Sequence, residues 1–106
     1  MEGLELICFQ IITASGGAKS SYIEAIAKAK EGLYDEAEAL IAQGDDMLKE
    51  GHAPHTELVQ KEAGSEGSVI TLILAHAEDQ MMSAEVFKVM AQEVIDLYKK
   101  IDTLTK

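Results

Sequence analysis

His76 and Asp79 stand three residues apart in the run Leu72-Ile73-Leu74-Ala75-His76-Ala77-Glu78-Asp79-Gln80-Met81-Met82. On a helix that spacing puts an imidazole and a carboxylate one turn apart, on a stretch otherwise suited to packing. An apolar seam holds such groups only when each has a partner or a job. For His76 the job is nucleophilic: a neutral ring nitrogen can attack phosphorus. That chemistry requires an exposed nitrogen, in-line access for the donor phosphate and hydrogen-bond donors for the phosphoryl oxygens. Gln80, at i+4 from His76, offers a side-chain amide for one such bond. Ser15-Gly16-Gly17-Ala18-Lys19-Ser20 offers backbone N–H groups, a hydroxyl and the Lys19 ammonium if the first helix passes nearby. The bland readings are a structural His76 on a half-buried helix and a Gly pair that marks close helix contact.

Asp79 occupies a position where a coiled coil takes an aliphatic residue. Either it faces water at the end of a bundle, or copies of it meet on a symmetry axis and hold a hard divalent cation with waters. His52 and His55 form a second pair at i, i+3. With no cysteine beside them and no third clear ligand, they do not read as a zinc site.

Helices must position these residues. The chain has 106 residues, 47% hydrophobic, with one Pro and no Trp. That length gives one domain over 1–106, long enough to bury a core. The aliphatic residues and methionines do the packing, which suits an all-α fold and gives little support to a sheet. Breaks at Glu31-Gly32-Leu33-Tyr34-Asp35 and Ala63-Gly64-Ser65-Glu66-Gly67-Ser68 divide the chain, with Asp35 and Ser68 as expected N-caps. Three helices are predicted over about 3–31, 35–63 and 68–104. Gly16-Gly17 weakens the first, and Pro54 is positioned to kink the second.

The third segment carries two stripes. One runs Val69, Leu72, His76, Asp79, Ser83, Val86, Met90; the other runs Ile73, Ala77, Gln80, Ala84, Phe87, Ala91, Val94, Tyr98. One suffices to pack against the other two helices, and the surplus predicts self-association through helix three. The methionines read as core filler.

Net charge is −10, from 19 acidic and 9 basic residues. Such a surface repels nucleic acid and anionic membranes and favours partners with basic faces. No window is apolar enough to span a membrane, and Met1-Glu2-Gly3 carries no basic leader. Cys8, the one cysteine, lies among Ile7, Phe9, Ile11 and Ile12 and reads as a buried thiol. A cytoplasmic protein is the expectation.

Four islands resemble the lactose/cellobiose-type enzyme IIA of the bacterial sugar phosphotransferase system. The first is Ser15-Gly16-Gly17-Ala18-Lys19-Ser20, where the family tends to read Ser/Ala-Gly-Asp-Ala-Arg-Ser. The second is Ala27-Lys28-Ala29-Lys30-Glu31-Gly32 leading into Ala37-Glu38. The third is Gly51-His52-Ala53-Pro54-His55-Thr56-Glu57-Leu58, where the family reads Ala-His-x-x-Gln-Thr-x-Leu. Then Glu62-Ala63-Gly64-Ser65-Glu66 precedes the His76 segment, where the family reads His-Ala/Gly-Gln-Asp-His-Leu-Met. The resemblance implies an antiparallel three-helix bundle protomer that assembles as a homotrimer. It implies that His76 accepts a phosphoryl group from phospho-HPr and passes it to a cysteine of the cognate IIB component during uptake of a sugar, a β-linked disaccharide being the expectation. It further implies that Asp79 from three chains binds one Mg2+ per trimer. Gln80 replaces the family's second His, Glu78 and His55 replace Gln, and Gly17 and Lys19 replace Asp and Arg. These departures leave the nucleophile and the metal carboxylate in place and bear on transfer rate, phosphohistidine lifetime and partner choice. Two alternatives stand beside the carrier: a non-catalytic trimeric regulator on the same fold, and a purely structural metal-bound helical trimer.

Overall fold

A computed structural model describes residues 3–64 and 70–105. Three helices form it: α1 (Gly3–Lys30), α2 (Tyr34–Ala63) and α3 (Leu72–Thr105). They pack up-down-up into a rod of 61 × 21 × 19 Å. α1 packs against both neighbours, whereas α2 and α3 meet far less extensively.

The α1–α2 turn follows from one residue. Gly32 has φ +79°, Leu33 N–H bonds the Lys28 carbonyl at 3.0 Å and Gly32 N–H bonds that of Ala29 at 3.0 Å. This is a Schellman closure, which wants glycine at the left-handed position. The expected cap at Asp35 gives way: α2 starts one residue earlier, Leu33 takes the N-cap position without a side-chain bond, and Asp35 and Glu36 place negative charge in the first turn. α2 runs on through Pro54. α3 begins at Leu72 and not at 68, because Thr71 supplies the cap, its Oγ1 accepting from Leu74 N–H at 3.3 Å. Ser68, the expected N-cap, and Val69, the expected start of a stripe, lie outside the described residues.

The core runs the length of the rod, with Ile11, Tyr22, Ala25, Leu58, Ala77, Met81, Ala84, Ala91 and Ile95 among its buried side chains. Tyr22 is fully buried and its ring lies over Gly44, where an added Cβ would come within 2.5 Å of Cε1. Tyr22 Oη donates to Asp45 at 2.7 Å, and Lys88 reaches the same carboxylate at 3.4 Å, joining all three helices. At the far end Tyr34 donates to Asp102 while Lys99 sits near the Tyr34 ring and bonds Glu38 at 3.3 Å.

The stripe Ile73, Ala77, Gln80, Ala84, Phe87, Ala91, Val94, Tyr98 is the one that packs: each member is buried or half-buried. The other face of α3 is uncovered. Its apolar centre line is not the predicted one through His76 and Ser83 but Leu72, Ala75, Asp79, Met82, Val86, Val89, all exposed. Their steps of three and four are those of a coiled-coil seam. Met82 and Met90, expected as core filler, lie here with 64% and 55% of their surface exposed.

Candidate functional site

α3 places the chemistry in its second and third turns, near one end of the rod. His76 and Asp79 are both exposed and lie about 60° apart around the helix. Asp79 stands on the centre line of the apolar seam. His76 sits at its edge, where the seam gives way to the flank facing α1. Among the described residues no hydrogen bond or ion pair reaches the exposed His76 imidazole. Gln80, one turn further on, is half-buried on the α1-facing stripe beside Ala77 and Ala84.

The glycines and Lys19 stand elsewhere. α1 is continuous through Gly16 and Gly17, so their N–H groups are spent on helical bonds and form no phosphate cradle. Gly17 instead gives room to Met47, whose Sδ would lie 3.1 Å from an added Cβ. Ser15 Oγ is buried without a partner. The Lys19 ammonium rests on the Phe87 ring, 5.2 Å from its centroid. Phe87 shares the helix face of His76 but lies about 16 Å further along the axis at the α-helical rise. Within one chain, then, the structure brings His76, Asp79 and Gln80 together, sets Lys19 further along the α1–α3 flank and turns Gly17 towards α2.

Glu78 points the other way, towards α2, where His55 Nε2–H donates to its Oε1 at 2.7 Å. His52 is exposed and not part of this pair. Nothing in the sequence pattern announced the contact, because it joins residues on two helices whose register only the packing fixes. Cys8 is fully buried, and its thiol pKa is raised first by burial and then by repulsion from Glu78 and Glu5.

Asp79, a hard oxygen ligand without a partner among the described residues, is chemically suited to magnesium. One chain is not enough to hold the ion: among the described residues no three potential ligands come together. The fit therefore depends on convergence of identical chains.

The profile of the PTS system, lactose/cellobiose-specific IIA subunit, matches residues 6–99. The chain belongs to this family. It is 45% identical over 100 residues to the lichenan-specific phosphotransferase enzyme IIA component of Bacillus subtilis, spanning 94% of this chain and 91% of that one. It is 43% identical to the oligo-β-mannoside-specific EIIA component of the same organism over 95 residues, 90% of this chain and 86% of the relative. Among solved structures, the cellobiose-specific enzyme IIA of Bacillus anthracis superposes with a TM-score of 0.91 at 41% identity, covering 97% and 94% of the two chains. The IIA(chitobiose)–HPr complex of the N,N'-diacetylchitobiose branch of the Escherichia coli phosphotransferase system matches with a TM-score of 0.80 at 30% identity, covering 96% and 99%. The all-α three-helix architecture and the family are thus both established, and within the described residues no helix is long and apolar enough to cross a membrane.

Proposed function

We propose that this IIA component is a cytoplasmic phosphocarrier whose His76 takes a phosphoryl group from phospho-HPr and gives it to a cysteine of a cognate IIB component. The observation that carries the reading is the exposed, unpartnered imidazole of His76 at the family's signature position. In loading, a His76 ring nitrogen attacks the phosphorus of phospho-HPr in line as the bond to the HPr nitrogen breaks, and HPr leaves as its neutral imidazole. In unloading, a IIB cysteine thiolate attacks the same phosphorus and His76 is regenerated. The Gln80 amide is placed to donate to a phosphoryl oxygen. Phospho-HPr docks across the α1–α3 flank, where Lys19 supplies positive charge further along. The chitobiose IIA relative has been solved in complex with HPr, which supports HPr as the partner.

Assembly as a homotrimer through the α3 seam belongs to the same reading, supported by the exposed row from Leu72 to Val89. Asp79 from each of three chains would then hold one Mg2+. The ion, when bound, offsets the carboxylate charge and the roughly −1.5 to −2 charges that phosphorylation adds nearby. The names of the relatives, lichenan, cellobiose and oligo-β-mannoside, favour a β-linked di- or oligosaccharide as the transported sugar.

A chase experiment tests the onward step. The chain, loaded with HPr, enzyme I and phosphoenolpyruvate and then purified, is mixed with candidate IIB components. Loss of the phosphoryl group from His76 matched by gain on a IIB cysteine is expected. A loaded chain that transfers to none of the IIB components encoded beside it would point to a regulator.

A further inference from the structure

Beside the site, an ion pair joins α2 to α3 through His55 and Glu78, at 2.7 Å. Glu78 also lines a groove of about 540 Å³ shared with Leu58, Leu74, Ala75, Asp79 and Met82. Three of those residues, Ala75, Asp79 and Met82, stand on the uncovered α3 seam. Glu78 thus lies at the border between the α2 contact and the seam, with its side chain 41% exposed against 27% for His55.

We propose that His55 is a positioning residue: its ring N–H holds the Glu78 carboxylate against α2 and keeps it out of the self-association seam beside Asp79. The inference rests on the seam being an interface between copies of this chain. Without His55, the carboxylate has lost its hydrogen-bond donor and turns to water, and the open direction is over Ala75 and Met82. Each chain would then bring a further carboxylate to the interface beside Asp79, and every added copy multiplies like-charge contacts that cost association. Held on His55, Glu78 leaves Asp79 as the carboxylate at this level of the seam. Lys88–Asp45, Lys99–Glu38 and Gln92–Glu38 also tie α2 to α3 further along, so removing His55 leaves the bundle folded.

Sedimentation across a dilution series tests this with wild type, His55→Ala, Glu78→Gln and the double variant, at low and high salt. His55→Ala should move the association midpoint to roughly tenfold higher concentration. The shift should shrink as salt screens the carboxylates. The double variant should associate like Glu78→Gln and like wild type, because without the carboxylate His55 has nothing to restrain. Equal midpoints for wild type and His55→Ala would overturn the proposal. So would a double variant as weak as His55→Ala, or a shift indifferent to salt, both of which mark His55 as packing only. A wild-type chain that stays monomeric throughout would remove the interface itself, and this inference with it.

Discussion

At the scale of single residues, the site depends on what each side chain is left free to do. His76 is exposed at the seam's edge and without a partner among the described residues, whereas His55 is committed to Glu78. The sequence made His76 and Asp79 legible, since an imidazole and a carboxylate in an apolar run stand out by type alone. It did not separate Gly17 and Lys19 from the site, because motif proximity in sequence is not proximity along a rod. Gly44 shows the same limit. Its necessity comes from the Tyr22 ring, which a Cβ would meet at 2.5 Å. Gly44→Ala should therefore destabilise the protein by about 1–3 kcal/mol despite its better helix propensity. Urea denaturation measures it, and an unchanged or higher midpoint would mean that the ring moves aside. Tyr34 supplies a second prediction. Its hydrogen bond to Asp102, then burial and the Asp102 charge, push its pKa up to about 12 from 10.0. A raised pKa favours the protonated phenol in the folded state, so this stabilisation is complete below pH 10 and lost as pH climbs towards 12. Alkaline denaturation followed by circular dichroism should show a shallower loss over that window in Tyr34→Phe than in wild type.

At the scale of elements, helix content was plain from composition and from the breaks at Gly32 and Gly64, and the boundaries fell within a residue or two for α1 and α2. The start of α3 differed by four residues because capping by Thr71, and not the apolar pattern, decides where the helix begins. The two-stripe reading of α3 was sound in principle: every member of its packed stripe is buried or half-buried, but the buried Leu74, Met81 and Ile95 lay outside it. The open stripe was drawn one position off at alternate turns, through His76 and Ser83 where the structure puts Ala75 and Met82. Hydrophobic spacing fixes a period, but only the placement of α1 and α2 decides which side of that period stays bare. The shift matters chemically: it sets Asp79 on the seam's centre and the exposed His76 at its margin.

At the scale of the whole molecule, a rod 61 Å long leaves one helix face uncovered from Leu72 to Leu104. Exposed apolar surface of that extent favours association. Replacing Val86, at the middle of the row, with Glu should convert the assembly to monomers while leaving the fold intact, because Val86 makes no core contact in its own chain. Light scattering after size exclusion reads the mass, and circular dichroism the helicity. An unchanged assembly would exclude the seam as the interface. Burial of Asp79 copies in that interface is what would couple assembly to a divalent ion, and the −10 net charge makes such an ion's contribution larger.

The central claim is that His76 carries the phosphoryl group, and intact mass tests it most directly. Wild type and His76→Ala are each incubated with phosphoenolpyruvate, enzyme I and HPr. An acid-labile gain of a single phosphoryl group per chain in wild type, and none in a folded His76→Ala, is the predicted result. The same gain in both proteins, or no gain in a folded wild type supplied with several HPr proteins, would contradict it.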